Sequence, residues 1–388
     1  MSNWKMAEMQ TESAKIKVIG VGGGGGNAVA HMVHQNIEGI EYISANTDAQ
    51  ALVKSNAPSQ LQIGANITKG LGAGADPELG RQAALEDREQ IQEAISDANM
   101  LFITTGMGGG TGTGAAPVIA QIARDMNILT VAVVTRPFSF EGKKRTAVAM
   151  EGIQELEDNV DSLIVIPNDQ LTAVMGKQAA LRDAFAAANE VLFTAVAGIS
   201  ELITRPGEIN LDFADVRAIM TEKGTAMMGT GIGTGDNRAA EAAEAAIHSP
   251  LLDDINLTGA EGILVNVTSN GDLSIGEFME IGEMVQGLAG DEAVVKVGTA
   301  VDDELDGQLR VTLVATGLSR NKDIVGGGQS RPRVVIDNAR REEPAVESEE
   351  AEAQQQGYAA GAGTAHRGNT AINLDTIDIP SFLRHQAD

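Results

Sequence analysis

Short apolar runs alternate with segments of helical period through the first half of the chain. Residues 16–21, 40–45, 100–103, 128–134 and 162–166 are runs of the kind that fills a central parallel strand, and 61–63 is a shorter one. Between them, residues 28–35, 115–126 and a segment ending near Asn159 carry apolar side chains at helical spacing. A further helix opens at Asp76-Pro77-Glu78, where a capping acid, a first-turn proline and a second acid meet the positive end of the helix dipole. It carries Leu85, Ile91 and Ile95 and ends near Ser96. Strand and helix alternating over residues 16–170 predict an α/β fold: a doubly wound, mostly parallel sheet with ligand loops at the carboxyl ends of its strands.

The second half is patterned differently. Residues 178–203 are Ala-rich and apolar around much of the circumference, which predicts a long central helix buried between two domains and stopped at Arg205-Pro206-Gly207. Past Gly224, strands at 226–235, 262–268, 293–300 and 308–316 and helices at 236–248 and 273–288 predict a smaller α+β domain with helices on one face of a mixed sheet. Residues 321–370, including REEPAVESEEAEAQQQ, hold too little apolar surface to offset the entropy of ordering and predict a disordered linker. Apolar residues return in INLDTIDIPSFLRHQAD, a short binding peptide at the end of a tether. The boundaries are a polar lead-in (1–15), an α/β domain (16–177), the central helix (178–204), the α+β domain (205–320), the linker (321–371) and the terminal peptide (372–388).

Composition narrows the function. A net charge of −26 argues against a nucleic-acid binder and against direct docking on anionic lipid. The chain has no cysteine, so there is no disulfide scaffold, thiol nucleophile or Cys-ligated metal, and its five histidines form no ligand pattern. No apolar run approaches the roughly 18–20 residues of a membrane span, and the first 15 residues lack the apolar core of a signal peptide. A cytoplasmic protein without membrane insertion is expected.

The stretch TTGMGGGTGTGAA, residues 104–116, joins an apolar strand to an amphipathic helix. Glycine lets backbone approach a ligand closely, and free N–H groups with a helix dipole favour an anion, most often phosphate. A second run, Gly22 to Gly26 followed by Asn27, leaves the first strand in the same way. Gly20-x-Gly22-x-x-Gly25 with Asp48 also fits a dinucleotide fingerprint, making an NAD or FAD enzyme the alternative. Two cradles on one sheet suit a triphosphate better, although no GxxxxGK[ST] is present. Glu141 and Arg145 are either an ordinary i,i+4 helix pair or a ribose and a phosphate contact. Asp212 and Asp215 read most simply as an N-cap and a first-turn acid; with Asn210 they could instead orient a water or Mg²⁺.

GGGTGTG at 108–114 is the tubulin-family signature. Together with KVIGVGGGGGNAV, NTDAQAL, ITKGLGAGADPE, PFSFEGKKR and NLDFADV it resembles the FtsZ family, the bacterial tubulin-like cell-division GTPases, across residues 16–318. DIPSFLRHQAD is similar to that family's C-terminal peptide.

The resemblance implies a GTP-binding domain, a central helix and a C-terminal activation domain, with GTP or GDP and Mg²⁺ bound. Gly23, Gly24, Gly25, Gly26 and Asn27, with Gly108, Gly109, Gly110, Thr111, Gly112 and Thr113, would cradle the phosphates. Ala73 and Ala75 would sense the γ-phosphate, and Glu141 and Arg145 would take the ribose and phosphate region. Asn168 would lie near the nucleoside, Phe185 against the base, and Asn189 on the guanine edge. Asn210, Asp212 and Asp215 would complete the site of the next subunit in a head-to-tail filament at the mid-cell division ring. Asp378, Ile379, Pro380, Phe382 and Leu383 would bind membrane-tethering division proteins. A tubulin-like relative that binds GTP without building a ring shares the pocket and should lack that terminal peptide.

Overall fold

β1 (Ile16–Val21) is buried along its whole length and passes without a loop into α1 (Gly22–Gln35). This comes from a computed structural model that describes residues 14–318 apart from 177, 206, 223, 253–258 and 291–292. The lead-in through residue 13, the linker and the terminal peptide with Asp378, Ile379, Pro380, Phe382 and Leu383 lie outside the described residues. The glycine loop expected at 22–26 is thus the first turn of a helix. β2 (Ile40–Asn46), α2 (Ala49–Val53), β3 (Ser59–Gln62) and α3 (Ala65–Thr68) follow.

The single helix expected over 76–96 is two, α4 (Pro77–Glu86) and α5 (Arg88–Ile95). The break is at Asp87, which leaves helical geometry while its carboxylate accepts the Gly64 N–H at 2.6 Å. Leu85 is exposed, whereas Ile91 and Ile95 are buried. Next come β4 (Met100–Gly106), α6 (Thr111–Asp125), β5 (Leu129–Arg136), α7 (Lys143–Glu157), β6 (Ser162–Pro167) and α8 (Asn168–Met175). α6 starts at Thr111, inside the glycine stretch rather than after it.

α9 (Leu181–Thr204) leads to α10 (Phe213–Met220), then to β7 (Thr225–Thr234), α11 (Arg238–Ile247), β8 (Gly262–Ser269), α12 (Ile275–Gln286), β9 (Val294–Val301) and β10 (Gln308–Leu318). All ten strands form one sheet in the order β3-β2-β1-β4-β5-β6-β7-β10-β8-β9. The first six run parallel. Among the described residues, β6 and β7 pair at Leu163↔Thr225 and Ile164↔Ala226, joining the two halves of the sheet. β10 is antiparallel to both β7 and β8, and β9 runs parallel to β8 at the far edge.

Alternate residues of the parallel strands feed two layers. Val18, Phe102, Val131 and Val133 face α1, α9 and α10, while Ile19, Leu101, Ile103 and Val134 face α5, α6 and α7. α11 and α12 cover one face of the second half through Ala242, Ala246, Ile281 and Val285. Contrary to the expectation from apolar runs, α9 has the length and mean hydropathy, 1.4, of a membrane span. Its residues from Ala195 to Leu202 are buried, and it packs on α1, β5, β8 and β9, as a core helix does.

Candidate functional site

The sheet order places a topological switch between β1 and β4. The chain moves outward from β1 through β2 to β3 and returns on the other side of β1 at β4. In open α/β sheets the crevice outside the carboxyl ends of such a strand pair is where ligands bind. Both strands here run through glycine into a helix: β1 ends at Val21 and α1 opens at Gly22, while β4 ends at Gly106 and α6 follows Gly110.

Packing explains some of these glycines and not others. A Cβ on Gly25 would strike the Thr104 carbonyl, and one on Gly112 the Thr105 hydroxyl. A Cβ on Gly24 would lie 3.0 Å from the Gly106 nitrogen, and Gly22 holds φ +71°. These positions let the two turns close on one another. Gly23 and Gly109 are different, because a Cβ there would meet nothing within 4 Å. They leave open surface beside free backbone N–H groups.

The helix starts are electrostatically prepared for an anion. Neither α1 nor α6 has a side-chain cap or an acid in its first turn. α4, α10 and α12 have both. The dipole that side chains answer at α4, α10 and α12 is left unanswered at the crevice, as it is at the starts of α3 and α7.

A cavity of about 220 Å³ opens beside the first turn of α1, bounded by Gly24, Asn27, Gly106, Thr135, Glu141, Arg145, Asn168, Phe185 and Asn189, with Met107, Pro137, Ala188 and Leu192 as its apolar wall. Glu141 accepts the Phe138 N–H at 2.9 Å and pairs with Arg145 at 3.1 Å. The i,i+4 pair and the lining of the cavity are therefore both real. Phe185 is 43% exposed, and its ring meets Phe138 edge-on with centroids 5.4 Å apart. The arrangement leaves an aromatic face free at the mouth. Asn168 is buried, and its amide oxygen has no hydrogen-bond partner among the described residues. A buried acceptor in a cavity wall is a place for a polar ligand. A second cavity, about 290 Å³, lies across α1 and is lined by Gly22, Gly23, Gly26, Asn27, Ser44, Asn46, Asp48 and Lys54 among others.

Several sequence-predicted residues do not line either cavity. Gly25, Gly112 and Thr113 are internal supports, and Thr113 accepts the Gly108 N–H at 2.8 Å. Gly110 is packed against Ala73 and the Asp76 backbone. Ala73 is buried, and Ala75 has φ +62°, held in a loop that braces the second glycine turn. Thr111 shares a 2.6 Å hydroxyl contact with Thr47. Asp48, the ribose acid of the dinucleotide reading, does line the second cavity, but its carboxylate is engaged in capping α2 by accepting from Gln50 and Ala51. Thr135, Ser44 and Lys54 carried no signal in the sequence, because they come from β5, β2 and the end of α2, whose patterning is that of ordinary structure. Gly106 and Met107 lie within the 104–116 glycine stretch.

Asn210, Asp212 and Asp215 are elsewhere. α9 starts beside the cavity with Phe185 and Asn189 and leads away from it. A rise of about 1.5 Å per residue puts Thr204 about 22 Å along the axis from Asn189. Asn210 accepts the Gly207 N–H at 2.7 Å, and Asp212 caps α10 by accepting the Asp215 N–H at 2.8 Å. Lys296 on β9, 2.9 Å from Asp215, holds that carboxyl below the usual carboxylate range. In its own chain this group lines neither of these two cavities.

Residues 15–176 match the GTPase domain of the Tubulin/FtsZ family, and residues 224–319 match the C-terminal domain of the FtsZ family. The cell division protein FtsZ of Pseudomonas putida is 54% identical over 405 aligned positions, covering 99% of this chain and all of the relative. The chain belongs to the FtsZ family. FtsZ of Coxiella burnetii is 56% identical, with 87% of each chain covered. A solved FtsZ dimer from M. jannaschii superposes with a TM-score of 0.76 at 45% identity, covering 79% of this chain and 89% of that one. Membership in the FtsZ family makes the protein a tubulin-like, GTP-binding cell-division GTPase.

Proposed function

We propose that GTP lies across the crevice between β1 and β4, its nucleoside in the cavity beside α9 and its phosphates over the two glycine turns. The observation that carries this is the pair of uncapped, acid-free helix starts meeting at the switch point beside that cavity. Gly23, Gly24 and Gly109 present backbone donors to phosphate and Asn27 its side-chain amide, with Gly26 leaving room beside them, while Gly25, Gly108, Gly110, Gly112 and Thr113 keep the turns close together. Thr111 faces the γ-phosphate, with Ala73 and Ala75 bracing that side. Glu141 takes the ribose, Arg145 a phosphate oxygen, Asn168 the nucleoside and Phe185 the base. Asn189 reads the guanine edge.

Mg²⁺ binds through phosphates, waters and one or two carboxylates, and Asp48 stands at the rim of the second cavity beside Gly22 and Gly23. When bound, the ion spreads phosphate charge. In the reaction a water attacks the γ-phosphorus, the bond to the bridging oxygen breaks, and GDP and phosphate leave. Asp212 and Asp215, with Asn210, orient and polarise that water in the crevice of the next subunit. Their place at the far end of α9 supports such a division of labour. A surface that presents acids and a different surface that needs them build an open, head-to-tail filament, and hydrolysis weakens the contact.

The activity belongs to the cytoplasmic division ring at mid-cell. A protein carrying −26 charges needs an intermediary at an anionic membrane, which the terminal peptide 372–388 supplies by binding membrane-tethering division proteins. Neither nucleic acid nor direct membrane insertion has a part. Asn189→Leu tests the nucleotide assignment. GTP binding to the unassembled protein should weaken at least about tenfold, with the preference over ATP reduced. Unchanged preference would remove Asn189 from the guanine edge.

A further inference from the structure

β9 ends the ten-stranded order, so among the described residues one of its edges has no neighbouring strand. The loop between α9 and α10 is hydrogen-bonded to β9 at Thr299. Thr299 donates its N–H to the Ile209 carbonyl at 2.9 Å, and its hydroxyl accepts the Ile209 N–H at 2.8 Å. Both backbone groups of Ile209 are thereby held by one buried side-chain-bearing residue. A Cβ on Gly207 would strike the Thr299 carbonyl, so the loop lies against the strand with no space between. A Cβ on Gly298 would lie 3.0 Å from Leu211 and 2.7 Å from Leu202, so strand, loop and α9 meet there in the same way. Three residues along the strand, Lys296 holds Asp215 at 2.9 Å. Asn210 and Asp212 lie between these two attachments.

We propose that β9, through Thr299 and Lys296, is the platform that fixes the acid-bearing loop in the orientation needed by the neighbouring subunit's nucleotide, making the two residues positioning residues for GTP hydrolysis. This rests on the reading that Asp212 and Asp215 serve a neighbouring site. Neither residue touches GTP; each acts by limiting how far the acids can wander. Because small misplacements of reacting groups carry large rate penalties, the clamp should show in turnover far more than in binding.

The experiment compares Thr299→Val with Thr299→Ser, and Lys296→Met with Lys296→Arg, beside Asp212→Asn. GTP affinity is measured on the unassembled full-length chain, and GTP turnover is measured per sedimented subunit. Thr299→Val and Lys296→Met should each lose about tenfold or more in turnover while binding GTP within about twofold of the parent. Thr299→Ser keeps the acceptor and Lys296→Arg keeps the cation, so both should regain most of the rate. Parental turnover in Thr299→Val and Lys296→Met, with Asp212→Asn inactive, overturns the proposal and leaves the underlying reading intact. Equal loss in Thr299→Ser, or a Thr299→Val chain that binds GTP but no longer sediments, also overturns it, because the residue then serves packing or assembly. Should Thr299→Val fail to bind GTP at all, the half-exposed Lys296 pair decides by the same criteria. A fully active Asp212→Asn removes the underlying reading and the proposal with it.

Discussion

Gly23 occupies a helical position with open space around its Cα, where glycine is less favourable than alanine by about 0.5–1 kcal/mol. Nothing in the packing requires that loss, whereas Gly25 cannot accept a side chain at all. Gly23→Ala should therefore raise the melting temperature of the nucleotide-free protein by a few degrees and weaken GTP binding at least about tenfold. Destabilisation, or unchanged affinity, would show that Gly23 serves the fold rather than the ligand. Glu277 supplies a second test, unrelated to the crevice. Hydrogen bonds from the Arg238 guanidinium pull its carboxyl down to about 2, below the ordinary 4.5. A folded value below the unfolded one stabilises the native state above about pH 4.5, and the contribution fades as pH falls from there towards 2. Glu277→Gln should lower the urea midpoint at pH 7 and lose less of it between about pH 5 and pH 3 than the parent does. Parallel acid dependence in the two proteins would contradict the ion pair's role.

The helices carry most of what could and could not be seen beforehand. The apolar runs of β1, β4, β5 and β6 were legible because strands buried on both faces need an unbroken apolar sequence. The start of α1 was not, since five glycines have the lowest helix propensity of any residue save proline; tertiary contact with Thr104 and Gly106 imposes the helix there. The break at Asp87 escaped for a similar reason: its partner, the Gly64 N–H, is 23 residues away. Glu141, Arg145, Asn168, Phe185 and Asn189 come from the turn before α7, from α7, from the start of α8 and from α9, and only the resemblance to a family brought them together before the structure did. At α10, a cap and an acid are the same side chain. Asparagine caps about as well as aspartate, so Asp212→Asn should change unfolding free energy by less than about 0.5 kcal/mol while abolishing GTP turnover. Loss of stability together with activity would return Asp212 to a capping role alone.

At the scale of the whole molecule, one sheet carries both the crevice and the platform for the acids. β6 and β7 are joined, among the described residues, by two residue pairs, and no local pattern announces which strands become neighbours, so the sequence suggested separate sheets where there is one. α9 crosses between the halves, with its first turns at the cavity and its buried C-terminal turns against β8 and β9. The same helix that brings Asn189 to the nucleotide carries Asp212 out of reach of it. The central claim is that the catalytic site forms only where two copies meet. Mixing tests it most directly. Asp212→Asn keeps the crevice and lacks the acid; Gly23→Leu keeps the acid and fills open space in the phosphate cradle. Each protein alone should turn over almost no GTP, and an equimolar mixture should regain activity, because the acid of one completes the crevice of the other. A mixture no more active than the sum of its parts, with both proteins folded and sedimenting together, would contradict the shared site.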